Sequence, residues 1–193
     1  MQASAQWIAE AVSGRLVGND VPVTGPVVTD SREAQAGSLY VARRGESADG
    51  HAFVSGAATR GAVAAIVEHE VDEAVAQIVV EDSTEALGAL ARAHVEKLRS
   101  SGDLDVIAMT GSVGKTTTKD LLLQIMSEDG PTVAPKLSFN NEVGLPLTVL
   151  LADESTRHLV LEMGASAPGH ITYLTDIVAP DVAIELCVGH AHV

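Results

Sequence analysis

The residues best suited by type and spacing to do chemistry lie between Thr110 and Thr117, in T-G-S-V-G-K-T-T. Gly111 and Gly114 keep the backbone small and flexible, so successive N–H groups can turn toward one point, the spot that favours a phosphate. Lys115 adds a point charge, and Thr116 places a hydroxyl where a phosphate-bound Mg2+ needs an oxygen ligand. The full G-x-x-x-x-G-K-[ST] pattern asks for glycine at Met109, so the match is partial. A plain strand–turn–helix connection is the competing reading of so short a string. The flanks weigh against it. Val106 to Met109 is a short apolar run, as in a buried strand of a parallel sheet, and Leu121, Leu122, Ile125 and Met126 recur at helical spacing.

Other candidates need their neighbours to be decided. Glu162 ends a predicted strand at 158–162, at the edge where open parallel sheets place their ligand crevice. There a carboxylate can hold Mg2+ opposite Thr116, or simply sit solvated at a strand end. His190 and His192 follow the next predicted strand and emerge at the same edge. Spacing leaves open whether either binds metal, because hard oxygen ligands suit Mg2+ better. Asn140 and Asn141 precede Gly144 and Pro146 and read, by themselves, as a turn. Asp30-Ser31-Arg32 joins a polar pair to a guanidinium that could bind a diphosphate, although an Asx-turn is the simpler reading. Asp49-Gly50-His51 is, on its own, a turn.

The elements that must position these residues follow from the same pattern. Ser4 caps a helix carrying Trp7, Ile8, Ala11 and Val12, which Gly14 stops. Leu16-Val17, the turn at 18–20, then Val21 and Val23 predict a small hairpin. Short strands follow at 27–28, 38–42, 62–67 and 77–80, with a helix over 52–60 that ends at Gly61. Residues 84–99 predict a long amphipathic helix with Leu87, Leu90, Ala91, His94 and Leu98 near one stripe. The polar turn Ser100-Ser101-Gly102-Asp103 marks a boundary, dividing the chain into 1–102 and 103–193. Beyond it the pattern is regular β-α alternation: strands at 106–109, 132–134, 158–162 and 182–186, helices at 145–151 and 169–178. The fold class is α/β: a small mixed α/β domain, then a P-loop parallel-sheet domain. A doubly wound sheet is expected to continue past Val193, so the chain reads as part of something longer.

Bulk properties exclude several classes. The chain has 193 residues and 46% apolar content, enough for one large or two small cores, but only 3% aromatics, so those cores must be aliphatic. Twelve Lys and Arg against 26 Asp and Glu leave a net charge of −14, which argues against nucleic acid and anionic membranes as partners. The single Cys187 excludes a disulfide framework. No signal-like start or membrane-length apolar run is present, so a soluble, cytoplasmic protein is expected.

Taken together, these strings resemble the Mur ligases, the ATP-dependent amide-bond-forming enzymes of peptidoglycan synthesis. T-G-S-V-G-K-T-T-T at 110–118 is similar to their ATP loop. Asp30-Ser31-Arg32, G-S-L-Y-V-A at 37–42 and D-G-H-A-F at 49–53 resemble the N-terminal UDP-binding domain of two members, which add the third residue and the terminal D-alanyl-D-alanine. F-N-N-E-V-G-L-P-L-T at 139–148 and L-E-M-G-A at 161–165 resemble the second of these. The member adding the third residue typically has T-T-P where this chain has Asn140-Asn141.

The resemblance implies that ATP phosphorylates the terminal carboxylate of UDP-N-acetylmuramoyl-tripeptide and that the amine of D-alanyl-D-alanine attacks the acyl phosphate. It implies ATP phosphates on Gly111, Ser112, Val113, Gly114, Lys115, Thr116 and Thr117, one Mg2+ on Thr116 and Glu162, and a second on His192. By the same resemblance Lys115, Glu162 and His192 are the catalytic set. Asn140 and Asn141 contact nucleotide or muramoyl substrate, and Ser31 and Arg32 contact the UDP end. Cys187 stands where the family usually has Asn, which removes a polar role there. The family's carbamylated lysine, adenine-binding Asn and Asp, and C-terminal domain would lie beyond Val193. The parent enzyme is then expected to be a monomer, and this piece alone inactive or a non-catalytic nucleotide-binding module.

Overall fold

The computed structural model describes residues 1–45, 48–135, 137–187 and 189. The chain forms two compact units, Met1–Leu90 and Ala91–Val193. In the first, Ser4 ends β1 (Ala3–Ser4) and caps α1 (Ala5–Ala11), its Oγ accepting from the Trp7 amide at 3.1 Å. β2 (Arg15–Val17), β3 (Pro22–Val23), β4 (Val27–Val28) and β5 (Ser38–Val41) follow, then α2 (Val54–Thr59), β6 (Ala62–Val67) and β7 (Ala76–Val79). The sheet order is β2-β7-β6-β5-β4, with β4 to β7 parallel and β2 antiparallel at one edge. β5 and β6 are buried almost throughout, as strands covered on both faces must be. Tyr40, Ala65 and Val67 pack with Val54 and Ala57 of α2 in one cluster.

The hairpin expected of residues 16–23 does not form. β2 pairs with β7, Leu16 opposite Ile78, and β3 pairs with β1, Val23 opposite Ala3. Gly14 permits this, because a Cβ there would lie 2.9 Å from the side chains of both Ile78 and Val80. The left-handed residue after α1 is accordingly Ser13, at φ 53°, and not Gly14.

α3 (Ser83–Ser101) leads into the second unit, followed by β8 (Asp105–Thr110), α4 (Lys115–Asp129), β9 (Thr132–Val133), α5 (Gly144–Val149), β10 (His158–Glu162), α6 (His170–Ile177) and β11 (Val182–Glu185). The four strands are all parallel, in the order β11-β8-β10-β9. β8 therefore lies between two later strands, and the carboxyl ends of β8, β10 and β11 share one edge, with Met109 opposite Glu162 and Thr110 opposite Glu185. That edge, at a change of strand order, is where α/β sheets bind ligands.

One expectation changes. The apolar stripe of α4 is only half used: Leu122 and Met126 pack on Ile107, Met109 and Val160, whereas Leu121 and Ile125 are 56% and 63% exposed. The compact units divide inside α3, between Leu90 and Ala91, ahead of the polar turn at 100–103. The helix runs unbroken through that point with Leu87, Leu90, Ala91, His94 and Leu98 all buried, so no turn signal marks it. Among the described residues no helix is long and apolar enough to cross a membrane.

Candidate active site

β8 delivers the chain to the sheet edge at Thr110, and the loop from Gly111 to Gly114 turns it into α4. Gly111 (φ 146°) and Gly114 (φ 88°) both adopt backbone that favours glycine. Gly111 also needs the space, since a Cβ would meet the Leu186 Cβ at 2.8 Å. Met109, where the longer glycine pattern would place its first glycine, is a buried strand residue packed in the sheet core. Thr118 N donates to Gly114 O, so the amides of Lys115, Thr116 and Thr117 precede the first intrahelical bond of α4. Those donors and the helix dipole face the loop, an arrangement suited to an anion. The Lys115 ammonium folds back on the Gly111 carbonyl. Ser112 is tied to the end of β11 instead: its amide donates to Cys187 O at 2.9 Å, and its hydroxyl bonds both Gly189 O and Gly189 N. Val113 is exposed at the loop tip.

Thr116, in the first turn of α4, brings its hydroxyl within 3.3 Å of Glu162 Oε2 and 3.3 Å of Ser138 Oγ. Glu162 ends β10 at 1% exposure, and its other oxygen, Oε1, is buried with no hydrogen-bond partner among the described residues. A buried carboxylate oxygen without a donor is costly. A divalent cation would supply the missing charge, and the oxygen donors of Glu162, Thr116 and Ser138 are the hard ligands Mg2+ prefers. The residues present fit that ion. A hollow of about 250 Å3 bounded by Ser112 to Thr117, Ser138, Asn140 and Glu162 leaves room for it beside a phosphate.

A cleft of about 450 Å3 continues from the loop, between Lys115, Asn140, Ser166, His170 and Glu185. Asn140 is held there by its carbonyl, which accepts from Gly164 N at 2.7 Å, while Gly164 leaves the space its side chain occupies. Asn141 turns its amide oxygen to the start of α5, accepting from Gly144 N at 2.9 Å. The turn reading of the pair thus describes Asn141, yet both residues line the cleft, Asn140 with its side-chain oxygen 2.8 Å from where a Gly164 Cβ would stand. Sequence reasoning passed over Ser138, Ser166, His170 and Glu185. Ser138 and Ser166 flank quoted motifs, so adjacency was the available signal. Ser166 Oγ and His170 Nδ1 lie 2.7 Å apart, joining the loop after β10, whose shape no periodicity predicts, to the first residue of α6.

In the first unit, Asp30 caps the turn Ser31–Glu33 and pairs with Arg32 at 2.6 Å. This is the Asx-turn, and the guanidinium beside it draws the Asp30 carboxyl down to about 2. Ser31 lies near Gly56 of α2, on the same unit. His51 is more than a turn residue: it is buried, its Nε2 accepts from Glu68 N at 2.8 Å, and Nδ1 therefore carries the proton donated to Asp49 Oδ1 at 2.6 Å. His190 and His192 lie outside the described residues.

The fold and the loop define a P-loop α/β protein, with a parallel sheet carrying a glycine loop at its carboxyl edge. The description "Mur ligase family, catalytic domain" matches residues 26–95, "Mur ligase middle domain" matches 109–193, and the chain belongs to the Mur ligase family. It is 38% identical over 190 residues, 96% of this chain and 41% of the relative, to the UDP-N-acetylmuramoyl-tripeptide–D-alanyl-D-alanine ligase of Bacillus subtilis. Among solved structures it superposes on MurF from Acinetobacter baumannii with a TM-score of 0.91 at 37% identity, over all of this chain and 42% of that one. MurF from Thermotoga maritima, solved in complex with ADP, gives a TM-score of 0.77 at 38% identity over 88% of this chain and 39% of that one. The chain thus spans about two fifths of the length of the relatives it matches.

Proposed function

We propose that this chain supplies the substrate-binding and phosphate-binding parts of an ATP-dependent ligase. Its reaction joins D-alanyl-D-alanine to UDP-N-acetylmuramoyl-tripeptide through an acyl phosphate. Residues 1–102 take the UDP end, through Ser31 and Arg32, and residues 103–193 take ATP. The observation that carries this reading is the meeting at one sheet edge of the Gly111–Thr117 loop, Lys115, and a buried Glu162 carboxylate whose Oε2 lies 3.3 Å from the Thr116 hydroxyl and whose Oε1 has no partner among the described residues.

Phosphoryl transfer of this kind needs alignment and charge neutralisation more than a covalent catalyst. Lys115 leaves the Gly111 carbonyl for a phosphate oxygen, and the first amides of α4 orient the phosphate chain. Thr116 and Glu162 would hold one Mg2+ and His192 a second, which would supply charge neutralisation for the phosphates. Asn140 orients the carboxylate-bearing substrate in the adjoining cleft. The substrate carboxylate attacks the γ-phosphorus and ADP leaves; the amine then attacks the acyl carbon and phosphate leaves. The protein works in the cytoplasm as a monomer.

A second reading is a nucleotide-binding module without catalysis, which the same glycine loop and first turn of α4 would serve. ADP release measured with UDP-N-acetylmuramoyl-tripeptide and D-alanyl-D-alanine, on this chain and on the intact gene product, separates the two. Release by the intact product that needs both substrates supports the ligase. Release indifferent to D-alanyl-D-alanine overturns it.

A further inference from the structure

We propose that Lys119 is a positioning residue that fixes the segment after β9 against α4 and so places Asn140 beside the phosphate loop. The proposal rests on the reading of residues 111–117 as the phosphate site.

Lys119 is the one charged side chain of α4 that is buried, at 3% exposure. Lysine is almost never fully buried unless its ammonium is paired and hydrogen-bonded. Its Nζ donates to Pro135 O at 2.9 Å and meets Asp120 Oδ1 at 2.7 Å. Asp120 is its chain neighbour and half exposed, so the contact that spans two elements is the one to Pro135.

The second anchor is one helical turn earlier. Thr116 and Lys119 are i and i+3, neighbours on one face of α4. Thr116 meets Ser138 and Lys119 meets Pro135, so two residues three apart on the helix hold two residues three apart on the segment, in opposite order. Ser138 and Asn140 both border the hollow that Glu162 and Thr116 close. The same side chain of Thr116 also reaches Glu162, so a shift of the segment is felt at the carboxylate. A lysine suits this task because a long stem can cross a packed interface and still deliver a donor to a backbone carbonyl.

Amide hydrogen exchange on the full chain, with wild type, Lys119→Met and Lys119→Arg, tests the bracket without any ligand. Methionine keeps the length and removes the donor; arginine keeps a donor. In the methionine variant the amides of Ser138, Phe139 and Asn140 should exchange at least tenfold faster, with β8 and β10 within twofold of wild type, and arginine should restore protection to within threefold. In the intact gene product the methionine variant should raise KM for UDP-N-acetylmuramoyl-tripeptide at least tenfold while ADP affinity stays within threefold. Unchanged exchange at 138–140 overturns the proposal, as does faster exchange spread over the whole sheet that arginine does not correct, since Lys119 is then only a core strut. Should the methionine variant fail to fold, Lys119→Gln is judged by the same readouts. Loss of ADP binding by the wild type would sink the phosphate-loop reading and leave the exchange result to decide the bracket by itself.

Discussion

At the scale of single residues, the site combines one cation with one buried anion, and each can be tested apart. A unit charge about 4 Å from a phosphate oxygen is worth roughly 4 kcal/mol at an effective dielectric near 20. One lysine can therefore outweigh a global charge of −14 at that point. Lys115→Ala should lower ATP-dependent turnover of the intact enzyme by about a thousandfold, at about 1.4 kcal/mol per decade, with the circular dichroism spectrum unchanged. Turnover within a few-fold of wild type would remove Lys115 from the phosphate site. Glu162→Gln acts differently, because the native carboxylate is buried with one oxygen unpaired. Replacing it should leave the melting temperature of the metal-free chain equal or higher, while abolishing stabilisation by Mg2+. At a hundredfold excess over its dissociation constant that stabilisation is about 2.7 kcal/mol in wild type. Thermal unfolding with and without Mg2+ makes the comparison, and a Gln variant that Mg2+ still stabilises fully would place the ion elsewhere.

At the scale of elements, α3 and α5 show how much the sequence could tell. His94 lies on the stripe that periodicity assigns to the buried face of α3, and its Nε2 donates to Ala152 O at 2.8 Å, just past α5. Burial pushes its pKa below the ordinary 6.5, against the pull of that carbonyl. The folded state thus prefers the neutral ring. Its contribution is complete above 6.5 and is lost as pH falls from there toward the lower folded value. Urea unfolding at pH 7.5 and 5.5 should show a smaller loss of stability in His94→Gln, which keeps a donor, than in wild type. Identical losses would assign the acid sensitivity to other groups. At α5, Gly144 stands against Phe139, where an added Cβ would lie 2.6 Å from the Phe139 Cα. Gly144→Ala should cost about 1–3 kcal/mol by overpacking and displace the neighbouring Asn140, so turnover should fall further than stability in paired denaturation and activity measurements. Strands such as 62–67 and 158–162 were legible because a parallel sheet demands unbroken apolar runs. The pairing of β2 with β7 was not, because a local turn signal at 18–20 says nothing about a partner sixty residues away. Of the site, Lys115, Thr116 and Glu162 were legible from type and position. The burial of Lys119 was not, since a lysine on a helix normally reads as a solvated face.

At the scale of the whole molecule, the two units present their sheets to solvent differently. In the first, β5 and β6 are central and buried, and the open edges belong to the short β4 and β2. In the second, β10 is buried along its length, but among the described residues β11 pairs with β8 alone, and Val182 at its start is 52% exposed. Leu121 and Ile125 stand out from α4 as well. Protection against exchange follows burial and the number of partners a strand has. Amides of β11 should therefore exchange at least tenfold faster than those of β8 and β10, while β5, β6 and β7 exchange together as the slowest group. Replacing Val182 with Thr should leave the slow group untouched, because the change lies in the other compact unit. Hydrogen exchange followed residue by residue decides the matter. Protection of β11 equal to that of β8 would mean that its free edge is covered in solution, and concentration dependence of that protection would then say whether the cover is a second copy of the chain.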